Sequence, residues 1–529
     1  MLGRTWGQSP GQLALGALIL LLVAAELANL VATDFHPTYL LDDTWIHLQF
    51  SEQLARGHFG LVPGEKASPS SSILYPLLLM PLAGTSLHQW QPALWNLAAL
   101  VAVLLLWLRL FERHVLENDG ARTLSAALLS LAAIIFTNTL WLAFTGMEHV
   151  LQIAATLAVA IGLLEVQRQG GARWLLLAGL VLGPWLRIEN FSITLPALVF
   201  LAWRGYWRLA LLGLLGSVGG VLVHGWISVA NGLPFLGGPL LLKGWLDDFA
   251  RAPLATLRWE IEYLARSLRA GRPDIGSLVL AAPLAATAFW HACRRDATSA
   301  GLSLIALASL LGQFILGGTV RPGRHEIYAQ CFALAALAHA LREPLQAVVR
   351  GMGAWPTTIA AALLLAAIFP ANVVWTATMP WAAQDIWRQQ WQMRRFLLEQ
   401  VRAPAAVNDV GLVAYRNPHM VLDLVGLGSE EMRRASVEQR ADAAFIARML
   451  AAHRIEAVLV YDHWFAGRLP EGLERVAEFQ LGRFAIATGG PVVAVYGAGP
   501  EAAARLRAAA AAFAPSMPSG SRLVVVPPR

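Results

Sequence analysis

The sequence predicts a mainly α-helical polytopic membrane protein that ends in a small α/β domain. Three observations carry this. Of the 529 residues, 57% are hydrophobic and only 14% charged, against about 25% charged in an ordinary soluble domain. Apolar runs with the length of membrane helices recur from residue 13 to residue 378. After that the pattern changes, and short β-like runs alternate with helical patterns to the end. The net charge of +6 is explained by basic residues beside the spans. It is no nucleic-acid footprint, and no nucleic-acid partner is expected. Cys293 and Cys331 lie in or at the end of apolar runs and give neither a disulfide framework nor a Cys-rich metal site.

Taken in order, the first run extends from Leu13 to about Ala32, follows Arg4 and contains Glu26. It is long for a signal-peptide core and reads as a retained anchor. Further runs at 93–110, 123–143, 147–166, 174–186, 191–203, 209–228, 276–293, 299–317, 326–341 and 357–378 bring the expectation to about 11 transmembrane helices. The stretch from Ile73 to Ala83 contains Pro76 and Pro81, is too short to cross, and reads as interfacial or re-entrant.

Charge tests this count. With the N-terminus inside, the cytoplasmic turns carry Arg109/Arg113/Arg122, Arg168/Arg173, Arg204/Arg208, Arg294/Arg295 and Arg342/Arg350, so every one is basic. Counting 73–83 as a span inverts every later turn. The segments 34–92, 229–275 and all that follows about residue 379 therefore fall outside. The expected plan is a membrane module 1–378 with outer loops 34–92 and 229–275, an extracytoplasmic α/β domain 379–514, and a loose tail 515–529. Strands are expected in "AVNDVGLVAY", "EAVLVYD" and "GPVVAVYG".

Four polar constellations stand out. "YLLDDTWIHLQF" presents Asp42 and Asp43 just after the first span, opening an amphipathic helix that also carries His47. An Asp pair serves as helix cap, solvated loop, metal ligand set or catalytic base, and the pair by itself does not choose. "WLRIEN" joins two runs of about thirteen residues, roughly 20 Å of helix against a core of roughly 30 Å. Arg187 and Glu189 should then lie recessed, as a structural pair or as a site, since an intramembrane Arg is costly. "TVRPGRHEIY" crowds Arg321, Arg324 and His325 on one outer turn, a phosphate clamp or a contact with lipid headgroups. "TGMEHV" puts Glu148 and His149 on another, where a metal is conceivable only with further ligands, Asp43 among the candidates. Walker, Rossmann, HExxH and nucleophile-elbow patterns are absent from the sequence, which speaks against nucleotide chemistry.

The order of motifs resembles a known family. A first span and an outer "DD" helix precede "RGHFGLVPGEKASPSSSILYPLLLMPL", a "GME" turn, "LRIEN", a late "GRHEIY" and an outer "NDVGLVAY…VLDLVGLGSEE". This series resembles the GT-C superfamily of polyprenyl-phosphate-sugar-dependent membrane glycosyltransferases, and most of all its terminal arabinofuranosyltransferase-like members. The sequence departs from the family at Arg187-Ile188-Glu189, where Arg-Pro-Glu is usual, at Arg324-His325, where Arg-Tyr is usual, and at Ser68-Pro69-Ser70-Ser71.

The resemblance implies a GT-C-like fold and an inverting sugar transfer from a polyprenyl-phosphate donor to a cell-envelope glycan or glycolipid acceptor. It implies a multi-pass protein of the bacterial inner membrane, in contact with membrane lipid. By that analogy Asp42 or Asp43 is the base, with a lean to Asp42, and Arg187, Arg321 and Arg324 receive the donor phosphate, alone or with a divalent cation. Glu148, Glu189, His325 and His47 complete the candidates. A transporter or lipid flippase is the alternative reading of the same membrane pattern.

Overall fold

The computed structural model describes residues 10–116, 120–166, 171, 173–242, 276–317 and 323–528, with scattered positions between 252 and 266. The chain forms two compact units. The first holds Met1–Ala24, Ala93–Leu222 and Trp245–Ala377, and the second Ala25–Pro92, Val223–Gly244 and Thr378–Arg529.

The first unit is helical. All the apolar runs of the sequence form helices, but they differ in length. Among the described residues, five are long and apolar enough to cross a membrane: Gly11–Ala32, His88–Val115, Trp207–Ala230, Gly276–Cys293 and Ala297–Phe314. A sixth span results if Trp355–Ile368 and Pro370–Ala377 count as one, bent by 94°. The bend falls at Pro370, which supplies no N–H to the helical ladder. The other apolar runs give the shorter helices Leu124–Phe136, His149–Glu165, Arg173–Leu186, Ile188–Trp203 and Ile327–Ala340. Length therefore supports five or six spans, and the expected count of 11 describes apolar helical runs. The multi-pass membrane character is plain in either count.

Two features show how sequence builds this unit. Trp203 and Trp207 are largely exposed, and Arg204 and Arg208 sit 5.9 and 5.2 Å from their ring centroids. Arg294 lies 4.4 Å from the Trp290 ring in the same manner. Exposed indole with guanidinium at a helix end is the chemistry of a membrane–water interface. Inside, His149–Glu165 packs on Arg173–Leu186, and Gly179 allows the approach. A Cβ there would lie 2.5 Å from the Ala155 carbonyl oxygen and 2.8 Å from Val159 Cγ2.

The second unit is built on one sheet. Its strands are β1 (Ala405–Val407), β2 (Val421–Asp423), β3 (Ala457–Val460), β4 (Leu473–Gln480), β5 (Val492–Ala498) and β6 (Arg522–Val525). Their order is β2-β1-β3-β5-β4-β6. β1 pairs parallel with β2 and β3, and the remaining pairs are antiparallel. Strands covered on both faces need apolar residues at nearly every position, and β1, β2 and β3 are buried throughout, with Asp423 at the end of β2 the polar exception. Ala405, Val407, Ala457 and Leu459 face one core with Phe479, Leu506 and Phe513. Ala406, Val458 and Val460 face the other with Met432, Phe445 and Met449.

Three expectations change here. Only Ala406 and Val407 of "AVNDVGLVAY" are strand, at the end of β1, and Gly411–Ala414 turns helical. The expected loose tail contributes β6, which pairs with β4 from Ala477↔Val525 to Gln480↔Arg522. Residues 34–92 belong with the sheet rather than with a module 1–378, because Ile46 and Phe50 of the helix Asp43–Ala55 enter the Phe479/Phe513 core. Chain order alone does not reveal that burial.

Overpacking a close helix contact costs about 1–3 kcal/mol. Gly179→Ala should therefore lower the thermal unfolding midpoint in detergent. Gly219→Ala, in the helix Trp207–Ala230 with nothing within 4 Å of its added methyl, should leave it unchanged or raised. Scanning calorimetry or dye-based melting of the pair checks this.

Candidate functional site

In the second unit the acidic pair divides. Asp42 is the N-cap of the helix Asp43–Ala55, yet its side chain makes no cap bond there. It reaches instead to a segment far along the chain, where Gly411 N donates to Oδ2 and Leu412 N to Oδ1, both at 2.8 Å. Asp42 is buried, and the approach is so close that a Cβ on Gly411 would lie 2.2 Å from the Asp42 carbonyl oxygen. Burial pushes the Asp42 carboxyl well above the usual carboxylate range, and the nearby Asp409 adds to this against the pull of the two N–H donors. Both Asp42 oxygens are thus engaged in holding the helix Gly411–Ala414. Asp43, the first residue of its helix, is half-buried. One turn on, His47 is buried with its Nδ1 3.1 Å from Ser70 Oγ and its ring against Tyr75. Residues i and i+4 share a helix face, so Asp43 and His47 lie on one face.

In the first unit Arg187 is the centre of a buried polar cluster. The helices Arg173–Leu186 and Phe191–Trp203 have 14 and 13 residues. Between them Arg187 is extended, with φ −152° and ψ 130°, and leads into the turn Ile188–Asn190. That turn is pinned from its neighbours: Tyr328 OH donates to Glu189 O at 2.8 Å, and Gln152 Nε2 to Asn190 Oδ1 at 3.0 Å. Arg187 is 1% exposed. Its Nη1 donates to Glu148 Oε1 at 2.7 Å and its Nη2 to Glu189 Oε1 at 2.8 Å, with His325 Nδ1 3.2 Å from Nη2. His149 is buried beside His325, with ring centroids 5.6 Å apart. The structure thus gathers Glu148 and His149, Arg187 and Glu189, and His325 from three segments far apart in sequence. The guanidinium is matched by two carboxylates, and this gives it a structural occupation. Arg324, on the same turn as His325, is half-buried; Arg321 lies outside the described residues.

Among the described residues no group of three His, Cys, Asp or Glu side chains converges in a way that could hold a metal. Of the three candidate ligands, Glu148 commits Oε1 to Arg187. A cation bound by these residues would need most of its ligands from elsewhere.

Sequence reading passed over one network in the second unit. Gln390 Nε2 donates to Asp409 Oδ2 at 2.7 Å and Tyr461 OH donates to Gln389 Oε1 at 2.6 Å. Burial pushes the Tyr461 hydroxyl well up, and the Asp409 carboxylate adds to the shift. Asp409 thus faces both Tyr461 and Asp42. Within "AVNDVGLVAY" it was submerged in an apolar run. The signal available was an acidic residue two positions before a glycine, which marks a turn rather than a strand.

Removing one partner of a buried ion pair costs about 3–5 kcal/mol. Arg187→Gln should therefore lower the melting temperature in detergent strongly, because Glu148 and Glu189 lose their cation. Adding Glu148→Gln and Glu189→Gln should recover much of the loss, since no buried charge is then left unmatched. The set of single and combined variants gives the coupling directly.

Residues 384–496 match the model of a domain family of unknown function, DUF8728. No curated protein sequence matches the chain. Several solved structures are similar to it at low identity. The oligosaccharyltransferase of Archaeoglobus fulgidus, in complex with Zn and sulfate, aligns at TM-score 0.47 and 12% identity, covering 96% of this chain and 75% of the other. ArnT from Cupriavidus metallidurans aligns at 0.45 and 14%, covering 92% and 99%. The arabinofuranosyltransferase AftD from Mycobacteria aligns at 0.40 and 17%, covering 92% of this chain and 40% of the larger one. At these scores the likeness assigns no residue a role.

Proposed function

We propose that the protein is an inverting glycosyltransferase of the GT-C type. It moves a sugar from a polyprenyl-phosphate donor to a cell-envelope glycan or glycolipid on the outer face of the bacterial inner membrane. The observation that carries the reading is the divided acidic pair. A half-buried carboxylate, Asp43, is held at the start of a helix beside an Asp42 whose oxygens are already occupied. The ordered series of sequence motifs adds to it, as do the membrane helices. Asp42 bonds to Gly411 and Leu412, so the first outer segment and the sheet share one side of the membrane. The basic turns support that side being the outer one.

In this reading Asp43 is the general base and Asp42 positions it, a reversal of the lean suggested by motif alone. A base must be unprotonated and able to reach the acceptor hydroxyl, at about 2.6–3.2 Å. Asp42 is disfavoured on both counts by its burial and its two N–H partners. The acceptor oxygen attacks the anomeric carbon as the bond from that carbon to the lipid-phosphate oxygen breaks. Asp43 takes the hydroxyl proton, and the lipid phosphate leaves with the bonding electron pair. Developing charge on that phosphate calls for cations. Arg324 is the proposed contact, with Arg321 beside it in sequence. Arg187 then serves by holding Glu148, Glu189 and His325 in place.

Two measurements test this. Mass spectrometry of a deletion strain should show one polyprenyl-phosphate sugar accumulating and the same sugar missing from an envelope glycan; unchanged profiles would remove the glycosyltransferase reading. Asp43→Asn should keep the melting temperature and lose about 10²–10⁴-fold in transfer rate. Asp42→Asn should lower the melting temperature instead, because its amide sets an N–H₂ donor against a backbone N–H. If Asp43→Asn retains full activity, Asp43 is not the base.

A further inference from the structure

One exposed surface of the second unit takes no part in the proposed chemistry. Phe35 and Phe484 are 72% and 73% exposed, and Trp381 is 52% exposed. These aromatics are presented, not left loose. Asp385 is fully buried and accepts from Ile486 N at 2.5 Å and Ala487 N at 2.9 Å, which fixes the loop between β4 and β5. Arg483 pairs with Asp385 Oδ1 at 2.6 Å and donates to two carbonyls, Trp381 O at 2.7 Å and Phe484 O at 2.8 Å. One guanidinium thus ties the Phe484 loop to the helix Met379–Arg388.

That helix is in turn fastened to the end of a membrane span. Gln384 Nε2 donates to the carbonyl of Ala32 at 3.1 Å. Ala32 is the last residue of the apolar helix Pro10–Ala32, which has 23 residues. Trp387 Nε1 donates to Asp34 Oδ2 at 3.0 Å, and His36 stacks on Trp387 at 3.9 Å and 13°. Phe35 lies between Asp34 and His36, and its N–H closes on Leu30 O at 2.7 Å. At 1.5 Å per residue this helix is about 34 Å long, enough for a hydrocarbon core of about 30 Å. Its end therefore lies at the membrane surface, and everything bonded to it shares that depth.

We propose that Phe35, Trp381, Arg483 and Phe484 form a lipid-binding anchor, with the aromatic rings seated at the boundary of headgroup and acyl chain. Aromatic side chains concentrate at that depth, where an apolar body and a polar surrounding coexist. Arg483 stands beside them with its charge partly exposed, in reach of lipid phosphate oxygens. The occupant is the bilayer itself because the surface is continuous with a helix that ends there. A soluble partner would have to displace lipid from the end of that helix.

The test uses the full chain in nanodiscs of phosphatidylethanolamine and phosphatidylglycerol, with the exposed Cys293 replaced by Ser and the buried Cys331 kept. A nitroxide is attached at Phe484→Cys, and a control at Ala508→Cys, an exposed position on the helix Pro500–Phe513. Collision with oxygen reports lipid, and collision with a water-soluble nickel chelate reports solvent. The oxygen-to-nickel ratio at 484 should exceed that at 508 several-fold. Equal ratios at the two positions would overturn the anchor. So would a label at 484 shielded from both reagents, which is the signature of a protein contact. Phe484 is exposed, so its replacement leaves the fold intact, and size-exclusion profiles of the two variants check this. The outcome is independent of sugar transfer.

Discussion

A charge taken out of water must find its counter-charges or donors within a few ångströms, and this constraint sets both interiors of the protein. Arg187, 1% exposed, takes Glu148 and Glu189 from two different turns. Elsewhere in the same unit, Glu165 is held by Arg109 at 2.5 Å and by His114 at 3.2 Å. In the second unit Asp42 and Asp385 are satisfied by pairs of backbone N–H groups, and Asp423 similarly by the N–H groups of Val425 and Gly428 at 2.8 Å. An unmatched buried charge costs several kcal/mol. Each of these residues therefore fixes the loop or helix end that answers it, and short helices can be held where length alone would not hold them.

The acidic pair shows how the same constraint separates neighbours. Successive residues on a helix point about 100° apart. Asp42 turns toward Gly411 and Leu412 and becomes a joint, whereas Asp43 keeps a half-buried carboxylate. A joint beside a half-buried carboxylate suits the base proposed above, because the scaffold then restrains the helix that carries it. The joint also makes the segment after the first apolar helix part of the sheet unit.

Much of the architecture was legible because membrane helices and buried strands write themselves in local pattern. Runs such as 209–228 and 276–293 are apolar on every face, and no other structure satisfies their backbone without water. "EAVLVYD" and "GPVVAVYG" became β3 and β5 because β-branched runs bounded by turns have few alternatives. The pattern was weaker where local and long-range demands differ. Arg522–Val525 looked like a tail because a strand of four residues shows no periodicity, and it is ordered only by pairing with β4.

The sequence by itself determined that this is a multi-pass helical chain with a terminal α/β unit. It also determined that Asp42, Asp43, Arg187 and Glu148 carry its unusual charges, because composition and run length are local properties. Only tertiary structure decided which of those charges pair with one another. Glu148 meets Arg187 across 39 positions and Asp42 meets Gly411 across 369. Nothing local to a dyad of carboxylates says which one will be buried. That depends on which distant backbone N–H groups packing brings within 3 Å.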